Sequence, residues 1–390
     1  MADTDRPASP AEPTAATTSP IPPANAISQE LGNAADADTA DNNPAVLVAE
    51  QLSDDESVRG ESLASSTTSV ASWVRDFRIE NGRTYHKFKD GSKCHGGFFT
   101  PCQTGVNKDA EYYMPNDERE NERLDVQHNM WLLTFDNRLG TAPPNDVDAK
   151  VGRVLDVGTG TGIWAMEFGE EHPEAEVLGV DLSANQPEFT YPNVKFQVDD
   201  IDEPWTYSQP FDYIHSRMMT SSVADWKEYI KKCFDNLNPN GYLELNEIDL
   251  WPKSDDGTLK EDSALLKFIR LWSEAAIAFG RPFQDIRLLK DIMVETGFED
   301  VCAQMFKWPD NAWPRDRKHK ELGLWNHQNF SAGVEGFMLA PFTRIHGWTR
   351  EEVTVFACEV RGELRDRSIH SYATVWSIHG RKPAKAEESD

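Results

Sequence analysis

Residues Val151–Ser183, VGRVLDVGTGTGIWAMEFGEEHPEAEVLGVDLS, read as one strand–turn–helix–strand unit. Val151–Val157 is a short apolar run rich in β-branched residues, as a buried parallel strand requires. Gly158, Gly160 and Gly162 follow at alternate positions. Ile163–Glu171 then carries Ile163, Trp164, Met166 and Phe168, which suits a helix packed on a sheet. Val177–Asp181 is a second apolar run that ends on a carboxylate. Glycines let the backbone turn tightly and approach a ligand with no Cβ in the way. The helix opening after the third glycine points unpaired N–H groups and the positive end of its dipole at the same spot. An acid at the tip of the second strand can accept both hydroxyl protons of a ribose. Asp181 lies 19 residues after Gly162, near the spacing this role needs. The unit is expected to bind a ribose-bearing, nucleotide-like ligand.

Dinucleotide-binding turns place the third glycine one residue later, as G-x-G-x-x-G, to accommodate a pyrophosphate. Here the order is G-x-G-x-G, preceded by Asp156 and followed by VLGVDLS. This resembles motif I of the class I methyltransferases, which bind S-adenosylmethionine (AdoMet). The resemblance implies that Gly158, Thr159, Gly160 and Gly162 carry the methionine end of the cofactor, that Asp156 helps hold its ammonium, and that Asp181 and Leu182 border the ribose.

Working outward, Asn193–Val198 reads as a third strand closed by Asp199-Asp200-Ile201. A carboxylate there can accept the exocyclic amine of adenine while Ile201 lies on the ring, with Asp200 the first choice. Phe211–Ser216 is the fourth strand. Its carboxyl end faces the ligand side, because open α/β sheets bind ligands at the carboxyl ends of their strands. His215 and Arg217 sit there. Gly241–Glu247, Val301–Trp308 and Ser371–Gly380 complete a set of seven strands, with helices at Asp225–Leu237, Ser263–Phe279, Asp285–Glu295 and Arg350–Arg365. The expected architecture is an α/β, Rossmann-like, seven-stranded class I methyltransferase sheet. Upstream, Asn116 or Asp117 is a natural N-cap for a helix with Leu124, His128, Trp131, Leu132, Phe135 and Leu139 on one face, ending near Gly140. Such a helix is expected to lie over the cofactor cleft as a lid. Residues 309–343, rich in Trp, His, Pro and Phe, are expected to form a substrate-side insertion in the C-terminal half. Trp308, Trp313, Trp325, Phe330 and Phe337 could line an acceptor pocket or simply pack.

Composition bounds the rest. The chain has 390 residues, 39% of them hydrophobic, and a formal charge of −27. That charge argues against a nucleic-acid surface, since phosphate contacts need Lys and Arg. No apolar run reaches the roughly 18 residues of a membrane span. The start, MADTDRPASPAEPT, lacks the features of a secretory signal. Residues 1–72 lack aromatic residues and carry twelve acids against two bases, so a disordered, solvated acidic tail is expected; the alternative is a partner-binding or phosphorylated tail, since Ser53-Asp54-Asp55-Glu56 resembles an acidic-directed kinase site. The domain plan is then a tail over 1–72, an arm and lid helix over 73–145, a methyltransferase domain over 146–383 and a polar tail over 384–390. Five dispersed cysteines suggest reduced thiols in the cytosol or nucleus. His86, Cys94, His95 and Cys102 cluster in sequence, but their spacing fits no standard zinc site, and no metal is expected.

YYMPNDERENERLDVQH, VLDVGTGTGIWAMEF, GVDLSANQP, FQVDDIDEPW, FDYIHSR, LNPNGYLELNEID and the closing SIHGRKP together resemble the fungal LaeA-like methyltransferases, from about Tyr85 to Pro383. That group includes a nuclear regulator of secondary-metabolite clusters that joins velvet proteins, enzymes encoded within such clusters, and methyltransferases affecting development and histone marks. The resemblance implies AdoMet as cofactor, a small-molecule or protein methyl acceptor, velvet-type proteins as candidate partners, and a cytoplasmic or nuclear location. Three readings stay open: a small-molecule methyltransferase, a protein methyltransferase, and a regulatory partner in which AdoMet binding is vestigial. A small acceptor predicts a closed, apolar pocket under the N-terminal helix, and a protein acceptor an open acidic groove. His215 and Tyr113 are the candidate bases.

Overall fold

A computed structural model describes residues 77–86 and 112–385. The tail over 1–72 with its kinase site, Trp73, Cys94, His95, Cys102 and residues 386–390 lie outside the described residues.

A hairpin opens the described chain, β1 (Phe77–Glu80) against β2 (Arg83–His86). Asn81 and Gly82 turn it with φ of 52° and 79°, which suits the twist of antiparallel strands. Helix α1 (Glu118–Thr134) is capped by Asp117, whose carboxylate accepts the Glu120 N–H. It stops earlier than the apolar spacing suggested. Asp136 and Asn137 take left-handed φ of 56° and 63°, which ends the helix, although Phe135 and Leu139 remain buried.

The sheet then builds in sequence: β3 (Arg153–Val157), α2 (Ile163–Glu171), β4 (Glu176–Asp181), β5 (Val194–Val198), β6 (Phe211–Arg217), α3 (Trp226–Asp235) and β7 (Leu237–Lys253). Next come α4 (Ala264–Ala278), α5 (Leu289–Thr296), β8 (Glu299–Pro309), α6 (Arg317–Arg344), α7 (Arg350–Arg365) and β9 (Tyr372–Arg381). The seven strands lie in the order β5-β4-β3-β6-β7-β9-β8. β3 to β7 pair in parallel, while β9 inserts antiparallel between β7 and β8. The expected seven-stranded sheet is therefore present, with β7 longer at both ends than its apolar run indicated. The carboxyl ends of β3 to β8 share one edge, so the order of the strands sets what can meet there.

Both sheet faces are covered. Leu155, Ile214 and Leu243 pack on Ile230, Cys233, Leu289 and Met293 of α3 and α5. Val154, Val177 and Tyr213 pack on Trp164 and Phe168 of α2. A separate aromatic core lies off the sheet: Phe268 and Trp272 of α4, Phe337 and Phe342 of α6, and Phe356 of α7, together with Tyr85 and Tyr113. Segment 309–343 is mostly the 28-residue helix α6, which packs with α1, α4 and α7. No described helix is long and apolar enough to cross a membrane.

Candidate functional site

A cavity opens over the carboxyl ends of the parallel strands, with α1 and α6 contributing walls. Its volume is about 230 Å³.

Its floor is the turn after β3. Gly158 and Gly162 have φ of 70° and 82°, and a Cβ on either would come within 2.5 Å of a neighbour: Met219 Sδ for Gly158, the Phe196 ring for Gly162. Only glycine fits both the conformation and the space. The Gly158 and Thr159 N–H groups donate to the Val180 carbonyl, each at 2.9 Å, which docks the loop on β4. Gly162 caps α2 without a side-chain bond, leaving the helix N-terminus toward the cavity.

The predicted carboxylates converge there. Asp181 accepts the N–H groups of Gly160 and Ser183, both at 2.9 Å. Burial pushes it up to about 6, opposed by those two donors. Asp156, 2% exposed, accepts the Thr159 hydroxyl at 2.5 Å and His215 Nδ1 at 2.8 Å. Leu182, Asp199, Asp200 and Ile201 line the same cavity, and Asp199 is tied to β4 through its N–H to the Asp181 carbonyl.

The two candidate bases fare differently. His215 lines the cavity, where register pairs it with Asp156 across β3 and β6. Its ring stacks on Trp164 at 3.8 Å, and Asn246 Nδ2 lies 3.3 Å from Nε2. The amide donates to Nε2, which leaves the proton on Nδ1 for Asp156. Both ring nitrogens are thus engaged, and His215 acts as a brace for Asp156 rather than as an open base. Tyr113 is fully buried in the aromatic core, stacked on Phe279 and bonded to Trp272 Nε1 at 3.2 Å. Burial pushes it up to about 12, which makes it a poor base, and its neighbour Tyr112 lines the cavity instead. Of the five expected pocket aromatics, Phe330 and Phe337 line the cavity. Trp308 is buried against Trp131, Trp313 bonds the Ser371 carbonyl, and Trp325 is partly exposed.

Several groups in and around the cavity are joined by bonds between elements distant in sequence. Arg217 donates to His128 Nδ1 at 3.2 Å, and His128 Nε2 lies 2.8 Å from Glu167. The cation can only donate, so His128 is neutral with its proton on Nε2. Burial lowers Arg217 to about 10, still a cation at neutral pH. Gln186 bonds the Gly160 carbonyl at 2.7 Å, and Thr161 of the glycine turn bonds Asp125 of α1 at 2.9 Å. Arg123 joins Glu120 on its own helix to Asn329 on α6. The Thr161–Asp125 bond ties α1 to the cavity floor, and the Arg123–Asn329 bond ties α6 to α1.

The donor set suits AdoMet: a glycine cradle, an acid at the end of β4, acids beyond β5, and Arg217 with Asp156 offering opposite charges to a zwitterionic amino acid. Sequence comparison gives an independent view. A methyltransferase-domain model matches residues 127–303. The methyltransferase pytC of Aspergillus terreus is 37% identical over 320 residues, 82% of this chain and 92% of that protein. A secondary metabolism regulator of Cochliobolus heterostrophus is 34% identical over 78% of this chain and 94% of its own length. The protein-methionine methyltransferase laeA of Emericella nidulans is 31% identical over 79% of this chain and 77% of its own length.

Proposed function

Because the chain belongs to the LaeA-like family of methyltransferases, we propose that it binds AdoMet over the Gly158–Gly162 turn and methylates a small molecule of secondary metabolism. The observation that carries this reading is the cavity itself: one space joins the glycine turn to an apolar region under α1 and α6, walled by Leu265, Ile269, Trp272, Phe330 and Phe337. When bound, AdoMet supplies an electrophilic methyl on a sulfonium, and its transfer to an acceptor leaves S-adenosylhomocysteine. Asp181 would accept the ribose hydroxyls, Asp199, Asp200 and Ile201 would hold the adenine, and Arg217 and Asp156 would hold the carboxylate and ammonium of the amino-acid end. Methyl transfer is an in-line displacement, and holding two reactants in line can be worth effective molarities of about 10⁵ M or more. The roof helices supply that order by excluding water. With both His215 nitrogens occupied, positioning rather than general-base catalysis dominates.

A second reading, transfer to a protein, is favoured by one observation. Met218 and Met219 line the cavity beside the glycine turn, and laeA carries the name protein-methionine methyltransferase. Under that reading a histone or this chain itself is the acceptor, and velvet-type proteins in the nucleus are its partners. One experiment separates the two. Purified protein is titrated with S-adenosylhomocysteine, then incubated with labelled AdoMet and either histones or a fungal metabolite extract. Label in small molecules supports the first reading. Label in histones or in the protein itself moves the function to the second. No binding of S-adenosylhomocysteine refutes both.

A further inference from the structure

Residues 199–203, DDIDE, follow β5 and carry four acids in five positions. Like charges this close repel, which favours an open, solvated loop. The loop is instead tightly folded. Asp199 Oδ1 accepts the Asp200 N–H at 2.9 Å, Asp200 Oδ1 accepts the Asp202 N–H at 3.0 Å, and the Glu203 N–H donates to the Asp200 carbonyl at 3.1 Å. Asp199, Asp200 and Ile201 line the cavity in this arrangement.

Two cations from other elements hold the loop. Lys232 of α3 places Nζ 3.1 Å from the Ile201 carbonyl, 2.8 Å from that of Asp202 and 3.2 Å from that of Glu203, with the Glu228 carboxylate 3.3 Å away on its own helix. An ammonium has three donors, and their convergence on three consecutive carbonyls fixes the path of the backbone. Arg281 is 4% exposed and lines the cavity. The end of α4 aims it: Gly280 takes a φ of 74°, and the Arg281 N–H returns to the Ala276 carbonyl at 2.9 Å. Its Nη2 donates to Asp202 Oδ2 at 2.7 Å, and its Nη1 donates to the Ser222 carbonyl. Ser222 belongs to a cavity-lining segment after β6, a strand separated from β5 in the sheet by β3 and β4. One planar guanidinium thus joins the loops after β5 and β6, a bridge that suits its fixed fork of donors.

We infer that Lys232 and Arg281 are positioning residues that set base selectivity. By holding residues 199–203 in register they keep a carboxylate where it accepts the exocyclic amine of adenine, and they make the site reject a purine with an oxygen at that place. This rests on the AdoMet reading of the same cavity. A carboxylate held rigidly cannot turn away from a carbonyl oxygen, so the wrong base leaves it unpaired or repelled. A slack loop lets the carboxylate swing to water, and the wrong base then costs little.

Three ligands titrated calorimetrically into the full chain test it: S-adenosylhomocysteine, S-inosylhomocysteine, which differs only in its base, and methylthioadenosine, which lacks the amino-acid end. The wild type is expected to bind S-adenosylhomocysteine about tenfold or more tighter than S-inosylhomocysteine, one bond to a charged group. Combining Lys232→Met with Asp202→Ala removes both holds and keeps the buried guanidinium in place. That protein is expected to show a base ratio under about threefold. Its ratio of S-adenosylhomocysteine to methylthioadenosine is expected to stay within about twofold of wild type, because the amino-acid end is bound elsewhere. A merely structural role would weaken every ligand together and leave the base ratio unchanged. A wild-type base ratio near one, a base ratio that survives the double substitution, or an equal fall in both ratios overturns the inference. If the doubly substituted protein does not fold, the two single variants decide: each is expected to lower the base ratio at least about twofold, and ratios unchanged in both overturn the inference. Failure of the wild type to bind S-adenosylhomocysteine would instead remove the underlying cofactor reading.

Discussion

Asp181 gives the most direct test of the cofactor site. Its carboxylate accepts the Gly160 and Ser183 N–H groups at 2.9 Å each. A carboxylate has about four lone-pair sites, so two remain for a ribose diol. Hydrogen bonds to a charged group contribute about 1.5–3 kcal/mol each. Losing both in Asp181→Ala is then worth about 3–6 kcal/mol, a weakening of S-adenosylhomocysteine binding on the order of 10²–10⁴-fold. The charge state adds a second signature. Burial pushes Asp181 up to about 6, and only the ionised form accepts both hydroxyls. Wild-type affinity is therefore expected to rise with pH up to about 6 and to level off above it, while Asp181→Asn stays flat. Stability of the ligand-free protein runs the other way. A carboxyl raised in the folded state stabilises most below its unfolded value of 3.8, and that contribution is lost as pH rises through about 6. Calorimetric titration between pH 5 and 7.5, with thermal unfolding alongside, reads both. Wild-type affinity that does not change with pH, or an Asp181→Ala protein that binds within about threefold of wild type, would refute the reasoning, because two charged bonds cannot vanish for less.

Three further perturbations bear on the rest of the molecule. Arg217→Gln is expected to weaken S-adenosylhomocysteine by about 10–100-fold, one charge-assisted bond, while leaving methylthioadenosine, which lacks the amino-acid end, unchanged; an equal loss for both ligands would make Arg217 merely structural. Trp308 is fully buried, edge-on to Trp131 at 4.8 Å, and donates to the Thr134 hydroxyl at 2.8 Å. Trp308→Ala is expected to cost about 3–5 kcal/mol in urea unfolding, and a loss under about 1 kcal/mol would contradict its place in the core. Glu247 is fully buried, accepts the Met219 N–H and the Thr220 hydroxyl, and is pushed up to about 8 by burial. Its folded value lies above the ordinary 4.5, so its stabilising contribution is present in acid and fades as pH rises through about 8. Thermal unfolding of wild type and Glu247→Gln is expected to diverge toward high pH in favour of the variant; parallel curves from pH 5 to 9 would count against a protonated Glu247.

Much of the fold was legible because its signals are local. An apolar run, three alternate glycines and a carboxylate 19 residues further on need only neighbours in sequence. The structure brings Asp156, Gly158, Thr159, Gly160, Gly162, Asp181, Leu182, Asp199, Asp200 and Ile201 around one cavity or its floor. The same locality explains the lesser misreadings. Periodicity extended α1 past Thr134, because the left-handed turn at Asp136 and Asn137 is not visible in hydrophobic spacing. Tyr113 and Tyr112 are adjacent and alike in chemistry, and only packing decides that one joins the aromatic core while the other faces the cavity.

The sequence by itself determined the cofactor half of the site, since one strand–turn–helix–strand unit builds the glycine turn and sets Asp181 beside it. Tertiary structure alone decided how the rest of the cavity closes. Arg123 meets Asn329 across 206 positions, Trp272 meets Phe337 from separate helices, and His128 joins Glu167 to Arg217 through elements that share no local pattern. β9 inserts between β7 and β8 near the end of the chain and leaves β8 at the edge of the sheet. Side-chain types and spacing encode the backbone of a single element, whereas which side chains converge between elements depends on strand order and helix packing, fixed only when the whole chain buries its apolar surface.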